Sequence, residues 1–183
     1  MLFELGFWNA WIFMLPNLLT FPFFFHLAKE KDAPPPSEVK MPKIMVIFCV
    51  ISKLIYFPAA ALSFFMPLKF GIISFYGGLP ITLIGLATSW IVIFDWARTP
   101  SGEPITKGLY RYSRHPMYVT STLFLVGVSL VSASWIFLLF PIIIIVGAVV
   151  FIGLEEQQCI AHYGNAYREY MKRTPRWLGL PKP

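Results

Sequence analysis

Charged residues are scarce in this chain. Only 13% of its 183 residues are Asp, Glu, Lys or Arg, against 57% hydrophobic and 17% aromatic, and the mean hydropathy is +0.66. That balance excludes an ordinary water-soluble domain of this length. Cysteine is nearly absent too. Cys49 and Cys159 offer neither a disulfide framework nor metal-ligand spacing, so no metal site is expected. No Lys or Arg precedes the first apolar run, which begins just after Glu4, so a cleavable leader is not expected. The net charge of +6 would suit nucleic acid if the cations clustered apart from apolar runs. They lie instead in short loops beside such runs, where positive charge sets membrane orientation, and no nucleic-acid partner is expected.

What is abundant is uncharged apolar sequence. Val119 to Leu154 is a block of 36 residues without one Lys, Arg, Asp, Glu or His. A bilayer crossing takes roughly 17 to 25 residues, so the block reads as two crossings folded back on each other. The turn is expected near Ser132, Ala133, Ser134 and Trp135. Three further runs precede it, over 5–28, 44–65 and 72–94. The first carries Pro16 and Pro22, the second carries Lys53, and a stiff linker with Pro34, Pro35 and Pro36 joins them. In the third run, Gly77, Gly78 and Gly85 are candidates for close helix packing. After Glu155 the pattern turns amphipathic, with Ile160, Tyr163, Tyr167, Tyr170 and Met171 at helical spacing on one side.

The expected fold is all-α and integral to the membrane. It has five transmembrane helices, the last two forming a hairpin followed by an interfacial amphipathic helix. The chain reads as one membrane domain over 1–183, with three spans in 1–96 and the polar loop, hairpin and final helix in 97–183. With the amino terminus outside, thirteen of the fifteen Lys and Arg residues fall on the inner side and only Lys69 on the outer. This asymmetry predicts a cytoplasmic carboxy terminus and a cytoplasmic polar loop.

Two polar clusters flank the charge-free block. The first runs Gly108-Leu-Tyr-Arg-Tyr-Ser-Arg-His-Pro-Met-Tyr118, and the second is Glu155-Glu156. A double crossing returns both to one face of the membrane. Pro116 favours a helix start, whose free N–H groups join Arg111, Arg114 and His115 in attracting a carboxylate or phosphate. Tyr110, Tyr112 and Tyr118 present flat faces to a heterocycle or a cation. Glu155 and Glu156 suit ribose hydroxyls or an amine. S-adenosylmethionine carries an anionic end, a base, a sugar and a positive centre, and so fits this set.

Gly108, Tyr110, Arg114, His115, Pro116 and Tyr118, then the hairpin, Glu155-Glu156, Tyr163-Gly164, Tyr167 and Tyr170, resemble the membrane-integral methyltransferase superfamily. That superfamily includes the isoprenylcysteine carboxyl methyltransferases and phospholipid N-methyltransferases. The resemblance covers roughly Pro100 to Trp177. It implies a small multi-span helical enzyme that binds S-adenosylmethionine near the cytoplasmic surface and takes a lipid or lipophilic substrate from within the bilayer. By position it implies cofactor contacts at Pro104, Ile105, Gly108, Tyr110, His115, Pro116, Met117, Tyr118, Glu155 and Glu156. Arg114, His115 and Glu156 are the candidate catalytic residues. The isoprenylcysteine enzymes have an Arg four residues before the equivalent of Glu155, where this chain has Phe151. An amine headgroup lipid or related acceptor is therefore expected in preference to a prenylcysteine carboxylate.

Two alternatives stay open in the sequence. Membrane sterol reductases that bind NADPH carry a similar Arg-His-Pro-Asn-Tyr run, although Met117 stands here in place of the Asn. A non-catalytic helical scaffold or small transporter is the other, against which the near absence of polar residues in the spans argues, since it leaves no evident path.

Overall fold

A computed structural model describes residues 6–20, 22, 23, 26, 55–100 and 102–182. The Pro34–Pro36 linker, Cys49, Lys53, residues 44–54 of the second expected span and parts of the first lie outside the described residues. Among those described, every regular element is helical. They are α1 (Trp11–Leu18), a helical stretch over 55–63, α2 (Ile73–Arg98), a 3₁₀ turn (Gly108–Arg111), α3 (Pro116–Val131), α4 (Leu139–Tyr163) and α5 (Asn165–Arg173).

Two of these helices are long and apolar enough to cross a membrane. They are α2, with 26 residues, and α4, with 25, roughly 39 and 37 Å at 1.5 Å per residue. Their outward faces expose Ile73, Leu83 and Ile84 on α2 and Ile142, Val149 and Val150 on α4. Such a density of uncovered aliphatic side chains suits lipid rather than water.

Helix α3 has only 16 residues and lies largely inside the bundle, with Phe124, Leu125, Val128 and Val131 fully buried. It begins at Pro116, as the fixed φ of proline favours, and stops where three short polar or small residues compete for the backbone. The Ser132 hydroxyl donates to the Val128 carbonyl at 2.7 Å, Ala133 turns to φ +46°, and Ser134 N–H returns to the Ser129 carbonyl at 3.0 Å.

Helix α3 packs closely on α2 because glycines remove side chains at the contact. A Cβ placed on Gly85 would lie 2.5 Å from the Phe124 backbone, and one on Gly127 would lie 2.5 Å from Thr82 N. Gly78 meets Leu130 in the same seam, whereas Gly77 has nothing within 4 Å and takes no part in it.

The sequence places an amphipathic helix straight after Glu155. The structure instead continues α4 through Glu155 and Glu156 to Tyr163 and breaks it at Gly164, where φ is +57°. The left-handed turn, which glycine adopts without strain, redirects the chain into α5. Of the tyrosines expected on one helix, Tyr167 and Tyr170 thus belong to a separate short element, and both are buried.

Candidate functional site

The motif loop is held from two sides. From α2, Asp95 accepts the Leu109 N–H at 2.9 Å. Gly108 makes this approach possible: it sits at φ +60°, and a Cβ there would run into the Asp95 carboxylate. From α5, the Tyr170 hydroxyl donates to the Tyr110 carbonyl at 2.7 Å and to the Ser113 carbonyl at 3.3 Å. Burial pushes the phenols of Tyr110 and Tyr170 up, with Asp95 adding to the rise at Tyr110. Both therefore stay neutral, and Tyr170 remains a donor.

The carboxy-terminal segment closes over the same loop. Arg114 N–H donates to the Pro175 carbonyl at 3.0 Å, Gly179 N–H to the Tyr112 carbonyl at 3.0 Å, and the Ser113 hydroxyl to the Arg176 carbonyl at 3.4 Å. Arg176 then reaches Glu156 with two nitrogens, Nη2 at 2.6 Å and Nε at 3.2 Å. That bond raises the Arg176 guanidinium above its ordinary range.

His115, just ahead of α3, lies between the two acids of α4. Its Nδ1 is 3.3 Å from Glu155 and its Nε2 is 3.4 Å from Glu156. The Tyr118 hydroxyl, one turn on, donates to Glu155. The expected meeting of residues near 115 with those near 155 is thus present.

Neighbours on a helix point about 100° apart, and the two glutamates diverge accordingly. Glu155 faces a cavity of about 460 Å³. Glu156 is 3% exposed, faces the carboxy-terminal segment and does not line the cavity. It gathers Arg114 Nη1 at 2.9 Å and Arg176 at 2.6 Å.

Along with Glu155, the cavity is lined by Pro104, Ile105 and Tyr110 from the loop and by Arg114, His115, Pro116, Met117 and Tyr118 around the start of α3. Gly108, like Glu156, is outside the lining and supports it from behind. The Nε and Nη1 atoms of Arg114 are buried without a hydrogen bond, the ion pair to Glu156 lacking donor alignment. Those two nitrogens are turned away from the cavity, toward Glu156, while Arg114 as a whole still borders it and brings positive charge to the wall.

The rest of the lining includes Asn17, Thr20, Tyr56 and Ser89 from other parts of the chain and Ser121 from further along α3. These hydroxyls and the amide carry no formal charge.

Residues 71–166, just over half of the chain, match the family model described as phospholipid methyltransferase. The chain belongs to the phospholipid methyltransferase family. No curated protein matches it. Most of the motif wall of this phospholipid methyltransferase family member falls inside the matched stretch. Arg176, Asn17, Thr20 and Tyr56 lie outside it.

Sequence reasoning missed Asp95 as a loop anchor, Arg176 as the partner of Glu156, and the uncharged polar side chains of the lining. An acid at a helix end facing a glycine-led turn is a usable signal for Asp95. Nothing in the sequence pairs Arg176 with Glu156 across twenty residues.

Proposed function

We propose that the chain transfers a methyl group from S-adenosylmethionine to an acceptor held in the membrane, an amine headgroup lipid or a related lipophilic molecule. The observation that carries this reading is the cavity wall itself. Arg114, Tyr110, Tyr118 and Glu155 line one space of about 460 Å³ and bring to it a cation, two aromatic rings and a carboxylate. That volume is within the ordinary range for a cleft taking a cofactor-sized ligand, roughly 300–1,000 Å³.

When bound, S-adenosylmethionine supplies an electrophilic methyl on a good, neutral leaving group. What the protein must add is alignment in a dry space, and strong acid–base catalysis is not needed. In this reading Arg114 takes the anionic end of the ligand, the tyrosine rings take its base or cationic centre, and Glu155 takes its hydroxyls or amine. His115 and Glu155 line the cavity and can receive the proton an amine acceptor sheds. Glu156, turned away, holds Arg114 and His115 in position. In this reading Asn17, Thr20, Tyr56, Ser89 and Ser121 face the acceptor, and these uncharged side chains, among the described residues, agree with an amine rather than a carboxylate.

The membrane arrangement belongs to the same proposal: a single domain of five crossings, with the amino terminus outside and the motif loop, α5 and carboxy terminus on the cytoplasmic side.

The test is ligand stabilisation of the purified protein. S-adenosylhomocysteine at 100 times its Kd is expected to add about 2.7 kcal/mol to stability, and NADPH to add nothing. In Glu155→Gln the protein keeps its own melting temperature and loses most of that response. Stabilisation by NADPH alone would overturn the reading, and a full response in Glu155→Gln would remove that residue from the site. Labelled S-adenosylmethionine incubated with membrane lipid extract then reveals which species gains the label.

A further inference from the structure

A second cavity, of about 720 Å³, lies at the polar end of the bundle between the 3₁₀ turn, α5 and the carboxy-terminal segment. Three cations border it: Arg111, Arg173 and Lys182. The hydrogen bond from Lys182 N–H to the Arg173 carbonyl, 2.8 Å, brings two of them side by side. All three side chains are exposed, and none has an ion-pair partner among the described residues. Glu169 also borders the cavity, but Lys172 holds its carboxylate at 2.7 Å. Three cations against the single Glu169 carboxylate, which Lys172 already pairs, leave a local excess of positive charge and favour an anion with several acceptor oxygens, to which arginine bonds in bidentate fashion.

A second observation says where such an anion resides. The segment that carries Lys182 also presents Trp177, Leu178 and Leu180 outward, at 40%, 71% and 83% exposure. Bare leucines are poorly suited to water. Together with an indole and flanking cations they make the pattern of a chain segment seated at a membrane interface.

We propose that Arg111, Arg173 and Lys182, beside the outward Trp177, Leu178 and Leu180, bind the phosphate-bearing headgroup of an anionic phospholipid. The leucines and tryptophan enter the acyl boundary while the three cations hold the phosphodiester, as polybasic clusters do at anionic leaflets. This site is separate from the cavity that faces Glu155, and the proposal does not depend on methyl transfer. It does have a consequence for that cavity. Arg176, which holds Glu156, sits on the same segment, so a seated headgroup fixes the element that props the motif loop.

The experiment compares the full chain in nanodiscs of phosphatidylcholine alone with nanodiscs containing phosphatidylglycerol. Phosphatidylglycerol is expected to raise the wild-type melting temperature by about 5 °C. The triple variant Arg111→Gln, Arg173→Gln, Lys182→Gln loses that rise yet keeps its helical circular dichroism, since all three side chains are exposed. The charge-keeping pair Arg111→Lys, Arg173→Lys retains most of it. An equal rise in wild type and triple variant, or no rise in either, overturns the proposal. If inorganic phosphate in phosphatidylcholine discs gives the full rise, the site takes a free anion and the lipid assignment fails.

Discussion

Glu156→Ala is expected to lower the unfolding free energy by about 3–5 kcal/mol, the usual loss when one partner of a buried charge pair is removed. The carboxylate is 3% exposed and lies between Arg114, His115 and Arg176. Without it the Arg114 guanidinium stays buried with no counter-charge, and the carboxy-terminal segment loses the tie to α4 that Arg176 makes. Arg176→Ala removes the other end of the same contact, but its side chain is 49% exposed, so solvent screening limits that loss to about 1 kcal/mol or less. Chemical denaturation in detergent reads both. If Glu156→Ala is no less stable than Glu155→Gln, the division of the acidic pair into a supporting and a cavity-facing member is wrong.

The α2–α3 seam gives the second large effect. Gly85→Leu puts a branched side chain where even a Cβ lies 2.5 Å from the Phe124 backbone. Backbone cannot swing aside as a flexible side chain can, so the helices must separate. Overpacking of this kind costs about 1–3 kcal/mol or more, and the separation would also shift Asp95, which lies ten residues after Gly85 on the same helix α2. Gly77, the immediate neighbour of Gly78 in the chain, has open space around it, and Gly77→Leu should leave stability unchanged within about 0.5 kcal/mol. Melting temperatures of the two variants decide the matter. Equal values would mean that the seam does not set the helix spacing.

Much of the site was legible because it lies in short-range patterns. The start of α3 follows from Pro116, its end follows from Ser132 to Ser134, and the length of the charge-free block returns Glu155 to His115. Features that depend on direction around a helix were not legible. The adjacent glutamates read as one acidic pair, and only the turn of α4 separates the one facing the cavity from the one facing Arg176. Gly77 and Gly78 were alike for the same reason. Long-range partnerships also escaped, since nothing in the spacing of Asn17, Tyr56 and Ser121 announces that they line one cavity.

That lining has a further implication. The cavity lining is drawn partly from residues ahead of the family stretch, at 17, 20 and 56, while the motif residues of the lining fall within that stretch. Under the proposed function, recognition of the group that gives a methyl and of the molecule that receives it falls to different parts of one polypeptide. Changes in the leading part would then redirect the choice of recipient while the donor side keeps its shape.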